Sequence, residues 1–422
     1  MVVESHSVPL VTIEITVHNG SMTEPVDYNG LSHLYEHMFF KANKALPSQE
    51  AFLRRTQELG LVWYGATSQE RVNYSFTGTK DHTEELMQLM HDALVSPLFD
   101  PKELDRERVV VTGEIDRNEA SPLYHLNKAI NDRVFWKYPS RRYPLGNRAT
   151  VLKATVAQLQ TIQRRYYVPN NSALVVTGDV TAAEIFAEAD RLYADWPKGE
   201  DPFIKFPLVK HPPIKKTEVA VVEQPVHMVT GQMTWQGPSV AGDEIPMTYA
   251  ADALSSTLSE PWSRWTKALV ESGACVSVSI SWATQVNTGP IKVSFQATPD
   301  KVDTCITAIR AELVKMESPD YLTQEELHRG AHTYEIGAVH ERERPSQLSH
   351  SLTFAFCYGG LDYYLLSYPD NLYKVTPADV ARYVTTYIKD RPFVFGIMVS
   401  SEMRKAGLDQ KHFDGLIKGR VK

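Results

Sequence analysis

The stretch GLSHLYEHMFF, residues 30–40, has the spacing of a short helix that carries two histidines on one side. At about 100° per residue, His33 and His37 are about 40° apart around the helix axis and one turn apart along it. Both imidazoles can therefore reach one metal ion. Glu36 lies about 60° to the other side of His33, close enough to act on a water molecule at that ion.

The order His-x-x-Glu-His is the mirror of His-Glu-x-x-His and is the inverted zincin pattern. Given the histidine and glutamate content of this chain, the pattern is expected by chance in roughly a few per cent of chains of this length. Two histidines and a glutamate on an amphipathic helix also fit ordinary surface or capping positions. The motif alone therefore leaves that second explanation open.

A further helix, predicted over residues 107–119, carries two acids that could complete a metal site. Catalytic zinc sites use three protein ligands and leave one position open for water. Glu107 and Glu114 lie on one face within about 20° of each other and about 10 Å apart along the axis. Both cannot bind one ion, so one is expected to be a ligand and the other to orient a ligand by a hydrogen bond.

The composition changes near the midpoint of the chain, where five prolines occur among lysines between residues 196 and 217. Proline lacks the amide donor and favours an extended backbone, so residues 197–216 are predicted to be a linker. The prediction divides the protein into a metal-bearing half, residues 1–196, and a homologous half without a metal site, residues 217–422.

Short patterns recur across this linker at a nearly constant distance, which indicates a duplication. Residues 76–81 and residues 295–300 both lead from a strand into a helix, and the helices 155–167 and 376–388 both precede a strand. The order of strands and helices predicts an α+β fold. Each of the two homologous halves is expected to be a mostly antiparallel sheet with helices packed on one face.

The composition excludes several classes of protein. A net charge of −7 over 422 residues offers no basic surface for nucleic acid, and no apolar run is long enough to span a bilayer. A soluble protein is expected, periplasmic or cytoplasmic if bacterial, with the compartment not fixed by the sequence. The cysteines Cys275, Cys305 and Cys357 are predicted to be buried small residues that form neither disulfides nor a metal cluster.

The complete motif resembles the pitrilysin/insulinase family of zinc metallopeptidases. Its elements are the His33, Glu36 and His37 pattern and, after a long interval, Glu114 with Glu107 seven positions earlier. The resemblance extends over the whole chain, through the duplicated halves and the linker. It implies one Zn²⁺ per chain, bound by the two histidines and Glu114, with Glu36 as general base and Glu107 orienting a ligand.

The resemblance also predicts where a peptide would bind. Residues 63–71 are similar to the family's edge strand beside the zinc, on which Gly65, Ala66 and Thr67 are predicted to contact substrate. An edge strand can pair with an extended peptide through main-chain hydrogen bonds. The family often has asparagine at the position of Gly65. The implied activity is that of a zinc-dependent endopeptidase acting on unstructured peptides.

The second half departs from the family pattern. An arginine and a tyrosine that hold substrate in the family, in a stretch like Arg-x-x-x-Gly-x-x-Tyr, correspond here to Leu269 and Val276. The chain therefore resembles the zinc-bearing subunit of two-chain members, such as mitochondrial processing peptidase beta and bacterial paired peptidases. A homologous partner chain is predicted to supply the pair.

Three alternatives remain. Arg344 and Tyr358 could fill the substrate-holding role in this chain, the chain could be a self-sufficient homodimeric peptidase, or it could be a non-catalytic scaffold of the same fold.

Overall fold

A computed structural model describes residues 1–363 and 367–419. The chain divides into two compact units that are each built from three segments. The first unit comprises Met1–Arg117, Ser140–Val209 and Ala338–Leu361. The second unit comprises Asn118–Pro139, Lys210–Gly337 and Asp362–Lys422.

The secondary structure alternates short strands with helices throughout the described residues. The strands are β1 (Val2–Glu4), β2 (Leu10–Val17), β3 (Val62–Thr67), β4 (Val72–Thr79), β5 (Ser172–Gly178), β6 (Glu218–Glu223), β7 (Val229–Gln236), β8 (Ser277–Trp282), β9 (Pro290–Ala297) and β10 (Val394–Val399). The helices are α1 (Leu31–Phe39), α2 (Gln49–Glu58), α3 (Thr83–Val95), α4 (Pro101–Glu119), α5 (Pro122–Val134), α6 (Arg148–Lys153), α7 (Val156–Tyr166), α8 (Ala182–Leu192), α9 (Pro202–Lys205), α10 (Ile245–Ser259), α11 (Arg264–Thr266), α12 (Val302–Lys315), α13 (Gln324–Glu341), α14 (Pro345–Cys357), α15 (Tyr368–Tyr373), α16 (Pro377–Tyr387), α17 (Ser401–Lys405) and α18 (Gln410–Lys418).

The first unit contains a five-stranded sheet in the order β1-β5-β2-β4-β3. The pair β1–β5 is parallel and the remaining pairs are antiparallel, with Ile13 of β2 opposite Phe76 of β4. Alternate residues of β2, such as Ile13 and Ile15, join one apolar core with residues of α1, α3 and α7. The period of two in β2 therefore places its valine and isoleucine side chains on one side of the sheet. Strand β3 lies at the edge.

The opposite face of this sheet is covered by α14, which comes from the second half of the sequence. Thr12, Glu14 and Thr16 of β2 are fully or almost fully buried on this side. The hydroxyl of Thr353 in α14 donates to Oε1 of Glu14 over 2.7 Å, and the hydroxyl of Thr177 in β5 donates to the carbonyl at the start of α14. Polar residues at alternate positions of a strand indicate a face that is exposed to water. The sequence therefore did not predict that a helix covers this face of the sheet.

The second unit contains a sheet with the corresponding order β6-β10-β7-β9-β8, in which β6–β10 is parallel and the other pairs are antiparallel. One of its faces is covered by α5, which comes from the first half of the sequence. Ile130 and Leu126 of α5 pack beside Val394 and Met398 of β10. Gly396 permits this approach, because a Cβ there would collide with Ile130.

The fold class is confirmed: two homologous halves each form a mostly antiparallel sheet with helices on it. The compact units differ from the sequence ranges 1–196 and 217–422 because each unit includes one helix of the other half. The exchanged helices correspond to each other, since α5 begins at Pro122 and α14 begins at Pro345, which are equivalent positions of the duplication. The chain passes between the units at five places, and one of them, at residues 209 and 210, lies within the predicted linker.

The prediction for the cysteines was wrong for two of the three. Cys275, just before β8, and Cys305, in α12, form a disulfide with their Cα atoms 5.0 Å apart. Both are buried, and Cys357 is free and buried. A separation of 30 residues gave no indication in the sequence that the turn before β8 packs against α12.

Among the described residues, no helix combines the length and apolar character that crossing a bilayer requires.

Candidate metal centre

Helix α1 begins at a tight turn that a buried acid stabilises. Gly30 has a left-handed conformation with φ of 95°, and a Cβ there would lie 2.7 Å from the carbonyl oxygen of Leu145. Glu24 accepts hydrogen bonds from the backbone amides of Gly30 (2.8 Å) and Ser32 (2.7 Å). Negative charge at a helix N-terminus is favourable, although burial, partly offset by these hydrogen bonds, raises the pKa of Glu24 to about 7.

The two histidines of α1 converge on Glu114 of α4. Oε2 of Glu114 lies 3.6 Å from Nε2 of His33 and 3.6 Å from Nε2 of His37, and the three candidate ligand atoms all lie within 4.8 Å of one another. Tetrahedral zinc with bonds of about 2.0–2.1 Å separates its ligand atoms by about 3.4 Å. The donor types and the spacing therefore fit a zinc ion. This is the set of residues predicted as metal ligands.

Glu107 contacts His37 on the side of its ring away from Glu114. Its Oε2 is 2.9 Å from Nδ1 of His37, and its Oε1 is 2.6 Å from Nζ of Lys41. Burial alone would raise the pKa of Glu107, but the hydrogen bonds from His37 and Lys41 outweigh it and lower that pKa. Glu107 thus contacts His37 and is not one of the three residues that could hold a metal. Lys41, whose contact with Glu107 joins two distant segments of the chain, was not predicted from the sequence.

The two histidines differ in their electrostatic surroundings. Burial, reinforced by the neighbouring His37, lowers the pKa of His33 to about 3, which keeps its ring neutral and able to bind a metal. Burial also acts to lower the pKa of His37, but the hydrogen bond to Glu107 and the nearby carboxylates raise it overall. In the metal-free chain, a proton is therefore retained more readily on His37 than on His33.

Glu36, the predicted general base, is held by the edge strand β3. The hydroxyl of Thr67 donates to its Oε2 over 2.8 Å. A Cβ at Gly65 would lie 2.9 Å from Oε1 of Glu36 and 2.7 Å from Cε2 of Phe40. Burial raises the pKa of Glu36, and the Thr67 hydrogen bond partly offsets this. Thr67 and Gly65, predicted to contact substrate, thus both adjoin this carboxylate, while Ala66 pairs with Asn73 in the sheet.

The helices of the second unit that correspond to α1 and α4 carry other residues at the positions equivalent to the candidate metal site. The duplication aligns His37 with Ser256 and Glu107 with Gly330. A Cβ at Gly330 would lie 2.8 Å from the Ser256 hydroxyl and 2.7 Å from that of Thr257. Within the described residues, His33, His37 and Glu114 are the group able to hold a metal.

The positions of the missing arginine and tyrosine hold apolar side chains. Leu269 is fully buried in the short helical segment Lys267–Glu271 that follows α11. Val276, just before β8, is 51% exposed. The alternative pair is not assembled: Arg344 precedes α14 and Tyr358 follows it, so about 20 Å of helix separates them. Tyr358 is buried, with its hydroxyl 3.4 Å from that of Ser68.

Comparisons with known proteins identify the family of the chain. The model of insulinase (peptidase family M16) matches residues 1–143, and the model of the peptidase M16 inactive domain matches residues 153–334. Together these matches cover more than half of the chain. The matching family models define the class of protein as a peptidase family. The chain belongs to the insulinase family, peptidase family M16.

Several relatives are zinc proteases by name. Zinc protease PqqE of Helicobacter pylori is 25% identical over 267 residues, 61% of this chain and 59% of that protein. Human insulin-degrading enzyme is 27% identical over 208 residues, 47% of this chain and 20% of that enzyme. The probable zinc protease PqqL of Escherichia coli is 29% identical over 192 residues, 43% of this chain and 20% of that protein. The matches span less than two thirds of these relatives.

Solved structures share the fold over nearly the whole chain. A protease from Helicobacter pylori superposes with a TM-score of 0.84 at 21% identity, covering 94% of this chain and 96% of that one. The periplasmic protease PqqL from Escherichia coli gives a TM-score of 0.78 at 18% identity, covering 99% of this chain and 48% of PqqL. At these identities the likeness concerns the fold.

Proposed function

We propose that this chain is a zinc-dependent endopeptidase that cleaves unstructured peptides and acts as the zinc-bearing subunit of a heterodimer. The observation that carries the proposal is the convergence of His33, His37 and Glu114 beside Glu36, which lies next to the edge strand β3. The family membership and the zinc proteases among the relatives support the proposed peptidase activity.

The site residues would have two roles in peptide cleavage, metal binding and proton transfer. His33, His37 and Glu114 would hold one Zn²⁺, which when bound polarises the scissile carbonyl and lowers the pKa of water. Glu36 takes the proton of the attacking water and delivers it to the leaving amine. Burial raises the pKa of Glu36, which makes its carboxylate a stronger base towards the attacking water.

The edge strand supplies the substrate position. Val62, Trp63 and Tyr64 of β3 are exposed, and β3 is hydrogen bonded to β4 on one side of the strand. An extended peptide can add to the other side by main-chain hydrogen bonds, which select for an unfolded segment more than for a sequence. Binding there brings a peptide bond next to Glu36.

The proposal of a partner chain rests on Leu269 and Val276. Neither side chain can donate a hydrogen bond to the oxyanion that forms during peptide cleavage, and one such donor is worth about 3 kcal/mol of barrier. A homologous chain that carries the arginine and the tyrosine would supply these donors. The self-sufficient homodimer and the scaffold remain the competing functions.

The test is cleavage of a quenched fluorescent unstructured peptide by this chain alone, with the zinc content measured on the same sample. One bound zinc without cleavage is the expected result and leads to a search for the partner. Cleavage that disappears in Glu36→Gln would overturn the heterodimer. A chain that binds no zinc would be the scaffold.

A further inference from the structure

Lys41 occupies a position that no sequence motif assigns. It lies just beyond the end of α1, where its backbone amide still bonds to the carbonyl of Met38 over 3.2 Å. It follows His37 by four residues, so its side chain returns along the face of α1 that carries the metal ligands. Its ammonium group is largely buried, and Oε1 of Glu107 lies 2.6 Å away.

Lys41 and His37 contact different oxygens of the same carboxylate. Nζ of Lys41 lies 2.6 Å from Oε1 of Glu107, and Nδ1 of His37 lies 2.9 Å from Oε2. The two contacts fix both the position and the rotation of a carboxylate whose side chain is only 5% exposed. With Nδ1 of His37 bonded to this carboxylate, Nε2 of the same ring is directed at Glu114.

The orientation of the ligand set depends heavily on this arrangement. Nδ1 of His33 is buried and has no hydrogen-bond partner among the described residues. His37 is thus the histidine whose ring is oriented by a polar contact, and Glu107 supplies that contact. A carboxylate this deeply buried needs a compensating cation to stay in place.

We propose that Lys41 is a positioning residue of the metal centre: by holding Oε1 of Glu107 it keeps Oε2 on Nδ1 of His37 and so aims Nε2 of His37 at the metal position. The proposal rests on the proposed zinc-dependent function. Lys41 touches neither metal nor substrate and acts through two intermediate side chains. Loss of such an orienting contact typically weakens metal affinity by about 10- to 100-fold.

The experiment compares Lys41→Met, which keeps the length and removes the charge, with Lys41→Arg, which keeps the charge. Lys44→Met is the matched control, because Lys44 is an exposed lysine in the turn that follows α1. Zinc affinity is measured on the full chain by competition with a fluorescent zinc chelator. The visible absorption of Co²⁺ bound in place of zinc reports the ligand geometry, and circular dichroism reports folding.

We expect Lys41→Met to fold, to bind zinc about 10- to 100-fold more weakly and to change the Co²⁺ spectrum. Lys41→Arg should restore most of the affinity, and Lys44→Met should match the original chain. Unchanged affinity and spectrum in Lys41→Met would overturn the proposal while leaving the proposed function intact. An original chain that binds no zinc would instead overturn the proposed function.

A second variant covers a failure of Lys41→Met to fold. Lys41→Gln keeps a hydrogen-bond donor and a similar length but removes the charge. If Lys41→Gln folds and binds zinc as tightly as the original chain, the proposal fails. If neither uncharged variant folds, the same measurements on Glu107→Ala decide, because Lys41 acts only through Glu107. Unchanged zinc affinity and an unchanged Co²⁺ spectrum in Glu107→Ala would overturn the positioning role.

Discussion

The hydroxyl of Thr67 donates a hydrogen bond to Oε2 of Glu36 over 2.8 Å, so the edge strand β3 holds the carboxylate of the metal-site helix. Replacing Thr67 by valine keeps the shape and removes the donor. Because a hydrogen bond to a charged group contributes about 1.5–3 kcal/mol, we expect peptide cleavage to fall about tenfold or more with zinc content unchanged. Steady-state kinetics, with the partner chain present if one is needed, measure this. Thr79→Val, an exposed position of the same sheet, is the control, and an equal loss in both variants would contradict the prediction.

Gly65→Ala tests the other contact of the same carboxylate. The added Cβ would lie 2.9 Å from Oε1 of Glu36 and 2.7 Å from Phe40, so the base or the strand must move. A displacement of about 1 Å can lower turnover about a hundredfold, and the overpacking should destabilise the chain by about 1–3 kcal/mol. Gly337→Ala, on a helix with open space at that position, should be neutral or slightly stabilising. Normal activity of Gly65→Ala would show that the strand does not set the position of Glu36.

Substitutions at two neighbouring residues of α1 should have different effects on metal binding and on turnover. Glu36→Gln is expected to retain zinc and lose turnover, because the amide cannot accept the proton of water. His37→Ala is expected to lose the metal, since one of three protein ligands is removed. Elemental analysis of both purified variants, together with the peptide assay, decides the matter. Turnover that survives in Glu36→Gln would rule out Glu36 as the base.

Glu24 should make the stability of the first unit depend on pH. Burial raises its pKa from 4.5 to about 7 in the folded chain, so the folded state binds the proton more tightly than the unfolded state does. Its contribution is present below about pH 4.5 and is lost as the pH rises through about 7. The shift corresponds to at most about 3 kcal/mol.

The measurement is the difference in unfolding midpoint between the original chain and Glu24→Gln, at pH 5 and at pH 8, after removal of metal by a chelator. The original chain should gain relative to the variant at pH 5. A difference independent of pH would mean that Glu24 does not change its ionisation on folding.

The disulfide predicts the number of reactive thiols. The chain unfolded without reductant should show one thiol, that of Cys357, and three after reduction. Replacing Cys275 and Cys305 by serine should destabilise the chain by about 3–4 kcal/mol through the freedom regained in the unfolded loop. Disulfides persist mainly in oxidising compartments, so the count should be made on protein from such a compartment. Three thiols before reduction would show that the bond does not form there.

Much of the metal centre was predictable because it follows from helical geometry. The turn between His33 and His37 and the two turns between Glu107 and Glu114 are local spacings, and both place side chains on one face whatever the tertiary structure. The sequence of strands and helices likewise predicted the sheets. These predictions needed no knowledge of which elements meet.

The features that were missed are contacts between distant segments. The bond from Thr67 to Glu36 depends on how β3 lies against α1, and the Cys275–Cys305 bond depends on how α12 packs. The burial of Glu14 depends on a helix from the other half of the sequence. Alternating polar residues, as in β2, occur both on a sheet face that is exposed to water and on a face that is covered by a polar helix. The sequence pattern therefore cannot distinguish the two cases.

The exchange of α5 and α14 bears on the ancestry of the chain. The two helices occupy equivalent places in the duplicated halves, yet each covers the sheet of the other half. A half-length ancestor could have buried that face of its sheet only with the helix of a second copy. Cutting the present chain at its linker would likewise leave each sheet dependent on the opposite fragment.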